Sequence, residues 1–308
     1  MVSKNKIFFY VANEWLYSKV GSIKEQSYNK YINILNNYIY PYFYKIKINK
    51  INNKMVNDYF GILNSLSYST KKTILFIIKS ILYFSYVNSY VKNIIELKIT
   101  LNKKYNSIEY FTLQEQKKLE NYILNNVNTY TIGLLICLYT GLRIGEICGL
   151  KWEDIDLDKK VININKTVQR IQNINSYTTK KIISSPKSTS SYRTIPIPNF
   201  ICFILNDYKN DKDYYLLSNS KMFMEPRCYD RYYKKILKEC NIKNIKFHSL
   251  RHTFATRSIE CGMDIKTLSE ILGHTTYHTT LNTYIHSSID QKRNCINKLV
   301  DNIYKIVE

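Results

Sequence analysis

Apolar residues in the first hundred positions recur at helical spacing and predict a small helical bundle. Ile7 to about Val20 is apolar along one face. Ser22-x-x-Glu25 has the form of a capping box and opens a second helix that runs towards Tyr40, where Pro41 stops it. Asn53 to Leu66 reads as a third helix. Ser69 or Thr70 caps a fourth, reaching about Tyr90, with apolar positions 74, 75, 77, 78, 81, 82 and 84 and with Lys and Tyr on its other faces. Residues 98 to 110 are polar and basic, show no period, and read as a linker.

The pattern restarts at Thr112, which forms a second capping box with Glu115 and opens a helix to about Asn126. Thr131 to Tyr139 is almost wholly apolar and predicts a buried helix. Trp152 to Leu157, Val161 to Arg170 and Arg193 to Ile197 alternate like strands. Ser185 to Ser191 reads as a loop or hairpin tip with Lys187 at its centre. Helices are expected over Pro198 to Tyr208, Pro226 to Cys240, Arg251 to Cys261, Ile265 to Leu272 and Thr279 to Tyr284. The stretch to Glu308 is amphipathic through Ile289, Ile296, Leu299, Val300 and Ile303. The expected fold is mainly α with a small antiparallel sheet. Its parts are a helical domain over 1–98, a linker over 99–110, an α+β domain over 111–288 and a terminal helix over 289–308.

Charge sharpens this picture. With 45 Lys and Arg against 24 Asp and Glu, the net charge is +21, which points to a polyanionic partner, most simply nucleic acid. Part of the excess can come from a bias towards Asn, Ile, Lys and Tyr, as an AT-rich genome would give. Only eight of the basic residues are Arg, so each Arg merits inspection. The seven Cys form no CxxC pair, so reduced thiols are expected rather than a disulfide framework or zinc site. No apolar run reaches membrane length and the N-terminus lacks a signal core, so a cytoplasmic location is expected.

The candidate chemistry gathers near the C-terminus. If a helix begins at or just before His248, then His248 and Arg251 lie one turn apart on one face and make an anion site. His274 follows Gly273, and Tyr284 lies ten residues further on. With 29 Tyr in the chain, a single Tyr is uninformative; the constellation carries the weight. Upstream, Thr140-Gly-Leu-Arg143-Ile-Gly-Glu146 seats an Arg in a Gly-bracketed turn directly after the buried helix, with Glu146 able to face and orient it. The two imidazoles, the guanidinium of Arg251 and the phenol would serve phosphoryl transfer with charge stabilisers, a proton carrier and an oxygen nucleophile. The His248/His252 spacing alone could suggest a metal pair, but the Arg between them argues against a cation there.

These motifs resemble those of the tyrosine recombinases, the phage integrase family, in identity and order. The pieces are Thr140-Gly-Leu-Arg143-Ile-Gly-Glu146, Pro186-Lys187 to Arg193-Thr-Ile-Pro, His248-Ser-Leu-Arg251-His-Thr, Leu272-Gly-His274 and Thr279-Thr-Leu-Asn-Thr-Tyr284. The resemblance covers roughly 110 to 290 and is nearest in flavour to conjugative-transposon and phage integrases of low-GC bacteria. Residues 1–98 resemble the SAM-like core-binding domain by position and helix count. The resemblance implies Tyr284 as nucleophile, Arg143 and Arg251 as phosphate clamps, and Lys187 as the acid for the leaving 5′-oxygen. It implies His248 as proton carrier for Tyr284, His274 as a hydrogen-bond donor to the phosphate, and Glu146 in support. It further implies double-stranded DNA as partner, a homo-tetramer on synapsed sites, a Holliday-junction intermediate, and no metal or ATP. An excisionase or other DNA-bending protein is an optional accessory. The competing readings are a Xer-type chromosome-dimer resolvase, a topoisomerase-like relaxer, and a DNA-binding regulator that leaves Tyr284 unused.

Overall fold

The helical periodicity of the N-terminal hundred residues folds as five helices: α1 (Phe8–Tyr17), α2 (Glu25–Ile34), α3 (Tyr40–Phe43), α4 (Asn53–Ile62) and α5 (Tyr68–Val87). The computed structural model describes residues 6–101, 108–172, 178–184, 192–274, 276–284 and 297. Lys187 and almost all of the expected 289–308 helix lie outside the described residues. The chain divides into two units, Met1–Asn106 with Arg170–Lys180, and Ser107–Gln169 with Lys181–Glu308.

The first unit buries Phe8, Val11 and Trp15 of α1 against Leu35, Ile39, Phe43 and the inward row Ile74, Ile77, Ile78 and Ile81 of α5. Its caps differ in detail from the sequence expectation. Ser22 donates its hydroxyl to the Lys19 carbonyl at 3.0 Å, so α2 begins after Lys24 with no side-chain cap. Ser67, not Ser69 or Thr70, caps α5 by accepting from the Thr70 N–H at 3.2 Å. Pro41 does not stop the second helix. A π-helical turn, Leu35–Ile39, follows α2 directly and runs into α3, whose second residue is Pro41, so the helical path continues past the proline. Lys180 pairs with Glu25 at 3.0 Å, which ties the 170–180 segment to this unit.

In the second unit, α6 (Leu113–Asn125) opens on the expected box, with Thr112 and Glu115 capping each other. α7 (Thr129–Thr140) is buried on nearly every face and capped by Asn128. α8 (Ile144–Gly149) stands where the sequence suggested only a turn. The unit's strands are β1 (Ile155–Asp156), β2 (Val161–Ile164) and β5 (Arg193–Pro196), while β3 (Thr167–Gln172) and β4 (Thr179–Ser184) are each divided between the two units. Strands β1, β2 and β5 form an antiparallel sheet in that order, with Ile162 opposite Ile195 and both buried; β3 pairs with β4 apart from it.

The expected strand over Val161 to Arg170 breaks at Asn165–Lys166 for a reason visible in Asp154. That carboxylate is 3 % exposed and draws in Asn165 Nδ2 at 2.8 Å and Lys166 Nζ at 2.8 Å. A buried charge must be paired, and the pairing overrides the alternation. Trp152–Asp154 is accordingly a 3₁₀ turn rather than strand.

Helices α9 (Asn199–Asp207), α10 (Pro226–Glu239), α11 (His248–Glu260), α12 (Ile265–Leu272) and α13 (Tyr277–Tyr284) complete the unit. No described helix is long and apolar enough to cross a membrane.

Gly133 tests how tightly α7 is held. A Cβ there would overlap Leu217 Cδ2 and lie 2.5 Å from Tyr229 Oη, which donates to the Tyr130 carbonyl at 2.7 Å. Helix propensity favours Ala over Gly by about 1 kcal/mol, but forcing atoms into a filled core costs about 1–3 kcal/mol. Packing should win. Gly133→Ala is expected to lower the melting temperature, at about 2–4 °C per kcal/mol. A variant that melted higher than wild type would show that the core yields there.

Candidate active site

The loop after α7 is set by Gly141 at φ +67 and ψ 23, a left-handed cap that favours glycine. A side chain there would also strike Phe254 and Leu272, each 2.7 Å from an added Cβ. The turn delivers Arg143 to the start of α8, at the mouth of the buried helix. Its backbone N–H donates to Glu146 Oε2 at 2.9 Å, its Nη1 to Glu146 Oε1 at 2.7 Å, and its Nη2 to the Gly273 carbonyl at 3.2 Å. The Arg143 side chain stays 36 % exposed while Glu146 is 6 % exposed. The sequence expectation that Glu146 faces Arg143 is met.

Glu146 has a second partner that sequence reading passed over. Arg193, at the start of β5, donates Nη2 to Oε2 at 2.8 Å and Nη1 to Oε1 at 3.1 Å. Burial alone would raise the Glu146 carboxyl; the hydrogen bonds and charge of Arg193, with Arg143, outweigh it and hold the pKa at about 2.

Arg251 lies on α11, which begins at His248, so the two share a face as the spacing required. Arg251 is 1 % exposed and donates Nη1 to the Gly141 carbonyl at 2.9 Å and Nη2 to the Leu272 carbonyl at 2.8 Å. The rings of His248 and His252 meet edge-on with centroids 4.6 Å apart. Among the described residues no third ligand joins that pair. His274 follows Gly273, the left-handed end of α12, and its Nδ1 lies 2.7 Å from the hydroxyl of the fully buried Thr280 on α13. Position 284, the last of α13, is one turn beyond Thr280.

The structure therefore gathers Arg143, Glu146, His248, Arg251 and His274 through shared contacts and shared charge. It places the backbone of Tyr284 on the helix that Thr280 ties to His274; Lys187 lies outside the described residues. No role is read from the sequence for Arg193 or Thr280, and His252 is weighed only as half of a metal pair. For Arg193 a signal existed, as one of only eight Arg and the first residue of an alternating segment.

The imidazoles report the local potential. His248 is pushed down to about 4, first by loss of solvent around it and then by the charges of His252, Arg251 and Arg143. His248 nonetheless stands exposed at the surface, so water reaches the ring and the direction of the shift rests also on the cations beside it. His274 is also pushed down to about 4, by burial and then by Arg251, Arg143, His248 and Arg193. Both rings are therefore neutral at pH 7, beside guanidiniums whose field favours an anion.

Residues 109–291 match the phage integrase family, and residues 7–63 match the N-terminal SAM-like domain of phage integrases. A XerC-like tyrosine recombinase of Caldanaerobacter subterraneus is 29 % identical over 93 % of this chain and 81 % of its own length. The transposase from transposon Tn916 of Enterococcus faecalis is 33 % identical over 51 % of this chain and 42 % of its own length. The Tn1549 transposon integrase, solved in complex with transposon right end DNA, superposes over 96 % of this chain and all of that one, with a TM-score of 0.79 at 21 % identity.

Acid should loosen this site in two stages. Between pH 6.5, the ordinary histidine value, and about 4, the unfolded chain binds protons at His248 and His274 that the folded chain refuses. Stability from these rings is thus complete above 6.5 and lost as pH falls towards 4. Glu146 adds a lower window, from 4.5 down to about 2. Thermal melts across pH should show Tm falling from pH 6.5 to 4, with a shallower fall in His274→Asn. An identical slope in that variant would remove His274 from the account.

Proposed function

The chain belongs to the phage integrase family of tyrosine recombinases, and on that premise we propose that it is the integrase of a mobile genetic element. In this reading it cuts and rejoins double-stranded DNA through a 3′-phosphotyrosyl intermediate. The observation that carries it is the cationic field around two neutral imidazoles, centred on Arg143, Arg251 and Arg193 and opened to solvent at Arg143.

Tyr284 is the proposed nucleophile. Its phenolic oxygen attacks the scissile phosphorus, the bond to the 5′-oxygen breaks, and the 3′-phosphate is left on the tyrosine. A phenol of pKa about 10 must lose its proton as it attacks, and the departing alkoxide must gain one. Neutral His248 can accept the first; Lys187 is proposed to supply the second. Arg143 holds a non-bridging oxygen directly. Arg251, deeply buried, contributes mainly charge from beneath, and His274 donates to the phosphate through the nitrogen that does not face Thr280. Charge builds on the phosphorane beyond that of the starting diester, so fixed cations favour the transition state over the ground state. The phosphotyrosine keeps the bond energy, so rejoining, to the same strand or another, needs no ATP.

Beyond this chemistry, the proposal includes a homo-tetramer on two synapsed sites in the cytoplasm, exchange through a Holliday junction, and residues 1–98 as a DNA-gripping domain. An excisionase or other DNA-bending partner fits the same scheme. Residues 289–308 are assigned to docking on a neighbouring subunit. Truncation after Ser288 should abolish synapsis and spare DNA binding, as read by gel shift and by crosslinking on DNA; tetramers formed by the truncated protein would sink this assignment. The similarity to a XerC-like recombinase over most of the chain keeps chromosome-dimer resolution as the second reading.

A nicked suicide duplex made from the ends of the element encoding the gene separates these possibilities. In EDTA, wild type should give a denaturant-resistant protein–DNA band and Tyr284→Phe none. Tight binding without a band would favour a regulator that leaves Tyr284 unused. A band only on a chromosomal resolution site would favour the resolvase.

A further inference from the structure

Glu146 is nearly enclosed, and all its acceptor positions are engaged by two arginines. Oε1 accepts from Arg143 Nη1 at 2.7 Å and Arg193 Nη1 at 3.1 Å; Oε2 accepts from Arg193 Nη2 at 2.8 Å and the Arg143 backbone N–H at 2.9 Å. The two guanidiniums differ in place. Arg193 is 6 % exposed and Arg143 is 36 % exposed, so only Arg143 meets solvent where a phosphate can arrive. Arg193 also donates Nε to the Ile271 carbonyl at 2.6 Å and passes under Gly273, where an added Cβ would lie 3.0 Å from its Nη1.

We propose that Arg193 is a positioning residue for strand cleavage: it shares the charge of Glu146, so that Arg143 is held in place by the carboxylate without being neutralised by it. The inference rests on the recombinase reading of the site. The charge arithmetic is simple. Arg143, Glu146 and Arg193 together carry a net charge of +1, and the exposed member of the set is Arg143. Without Arg193 the set falls to zero. The carboxylate, stripped of its bidentate partner and still buried, then draws wholly on Arg143, the group meant for the phosphate. Arg193 touches no substrate itself. It acts through Glu146 and through the turn at Ile271–Gly273, whose last carbonyl also accepts from Arg143.

A structural role and this electrostatic role differ in one respect. If Arg193 only braced the fold, replacing Glu146 as well would restore folding without speeding cleavage by the folded protein. If Arg193 balances a charge, replacing Glu146 by Gln restores the net +1 and rescues cleavage.

The test is single-turnover cleavage of the nicked suicide duplex by full-length wild type, Arg193→Met, Arg193→Lys and the double variant Glu146→Gln/Arg193→Met, with DNA affinity measured alongside. Arg193→Met should cleave roughly 10- to 100-fold more slowly, with DNA affinity changed less than about threefold. Arg193→Lys should be intermediate, keeping the charge and losing the fork. The double variant should recover about tenfold of the lost rate.

Wild-type protein that forms no adduct overturns the recombinase reading and this inference with it. Wild type that cleaves while Arg193→Met does so within about twofold overturns the inference alone, as does a double variant no faster than a folded Arg193→Met. If Arg193→Met does not fold, the double variant, which leaves no buried carboxylate unpaired, decides. Cleavage within about tenfold of wild type supports charge balancing, and slower cleavage refutes it.

Discussion

Three arginines from three separate parts of the chain end on the last turn of one short helix. Ile271, Leu272 and Gly273 offer consecutive carbonyls, and these accept from Arg193, Arg251 and Arg143 respectively. A helix end leaves its final carbonyls without intrahelical partners and carries the negative end of the peptide dipole. α12 has no basic residue of its own in that turn, so the cations are recruited from β5, α11 and the entrance to α8. The convergence gathers the site, and the elements around it are arranged so that it can occur.

Such crowding is electrostatically costly. A single buried carboxylate, Glu146, stands against three guanidiniums, and the histidines nearby give up their protons rather than add to the charge. What remains is a cationic site whose own internal groups cannot neutralise it. On the proposed function, an incoming phosphate diester would relieve the imbalance and a phosphorane would relieve it further, so binding and rate acceleration would draw on the same repulsion. The neutral imidazoles follow first from loss of solvent and then from the same field, which disfavours a further positive charge.

Much of this was legible in the chain before any coordinates. The box at Thr112, the buried helix before Gly141 and the shared face of His248 and Arg251 rest on local rules of capping, polarity and period, and the structure contains all three. The misses arise where distant partners overrule local preference. Asp154 breaks a strand by demanding Lys166, and Ser67 takes a capping role that Ser69 and Thr70 seemed equally fit to fill. The helical path runs past Pro41 instead of ending there, through a π turn just before it. Arg193 escaped notice because its significance lies in Glu146, 47 positions away, and in main-chain carbonyls that carry no sequence signature at all.

That last point bears on how such a site drifts through evolution. An acceptor made of backbone cannot be lost by changing a side chain, so Ile271 and Leu272 are free to vary in identity, within the limits of packing, without breaking the arginine contacts. The burden of constancy shifts to a residue that supplies no chemistry. Gly273 sits at φ +64, and its bare Cα leaves room for Arg193 beneath it. A lineage could exchange much of α12 and keep these contacts, whereas a single methyl group at that turn would strain the backbone and press on Arg193.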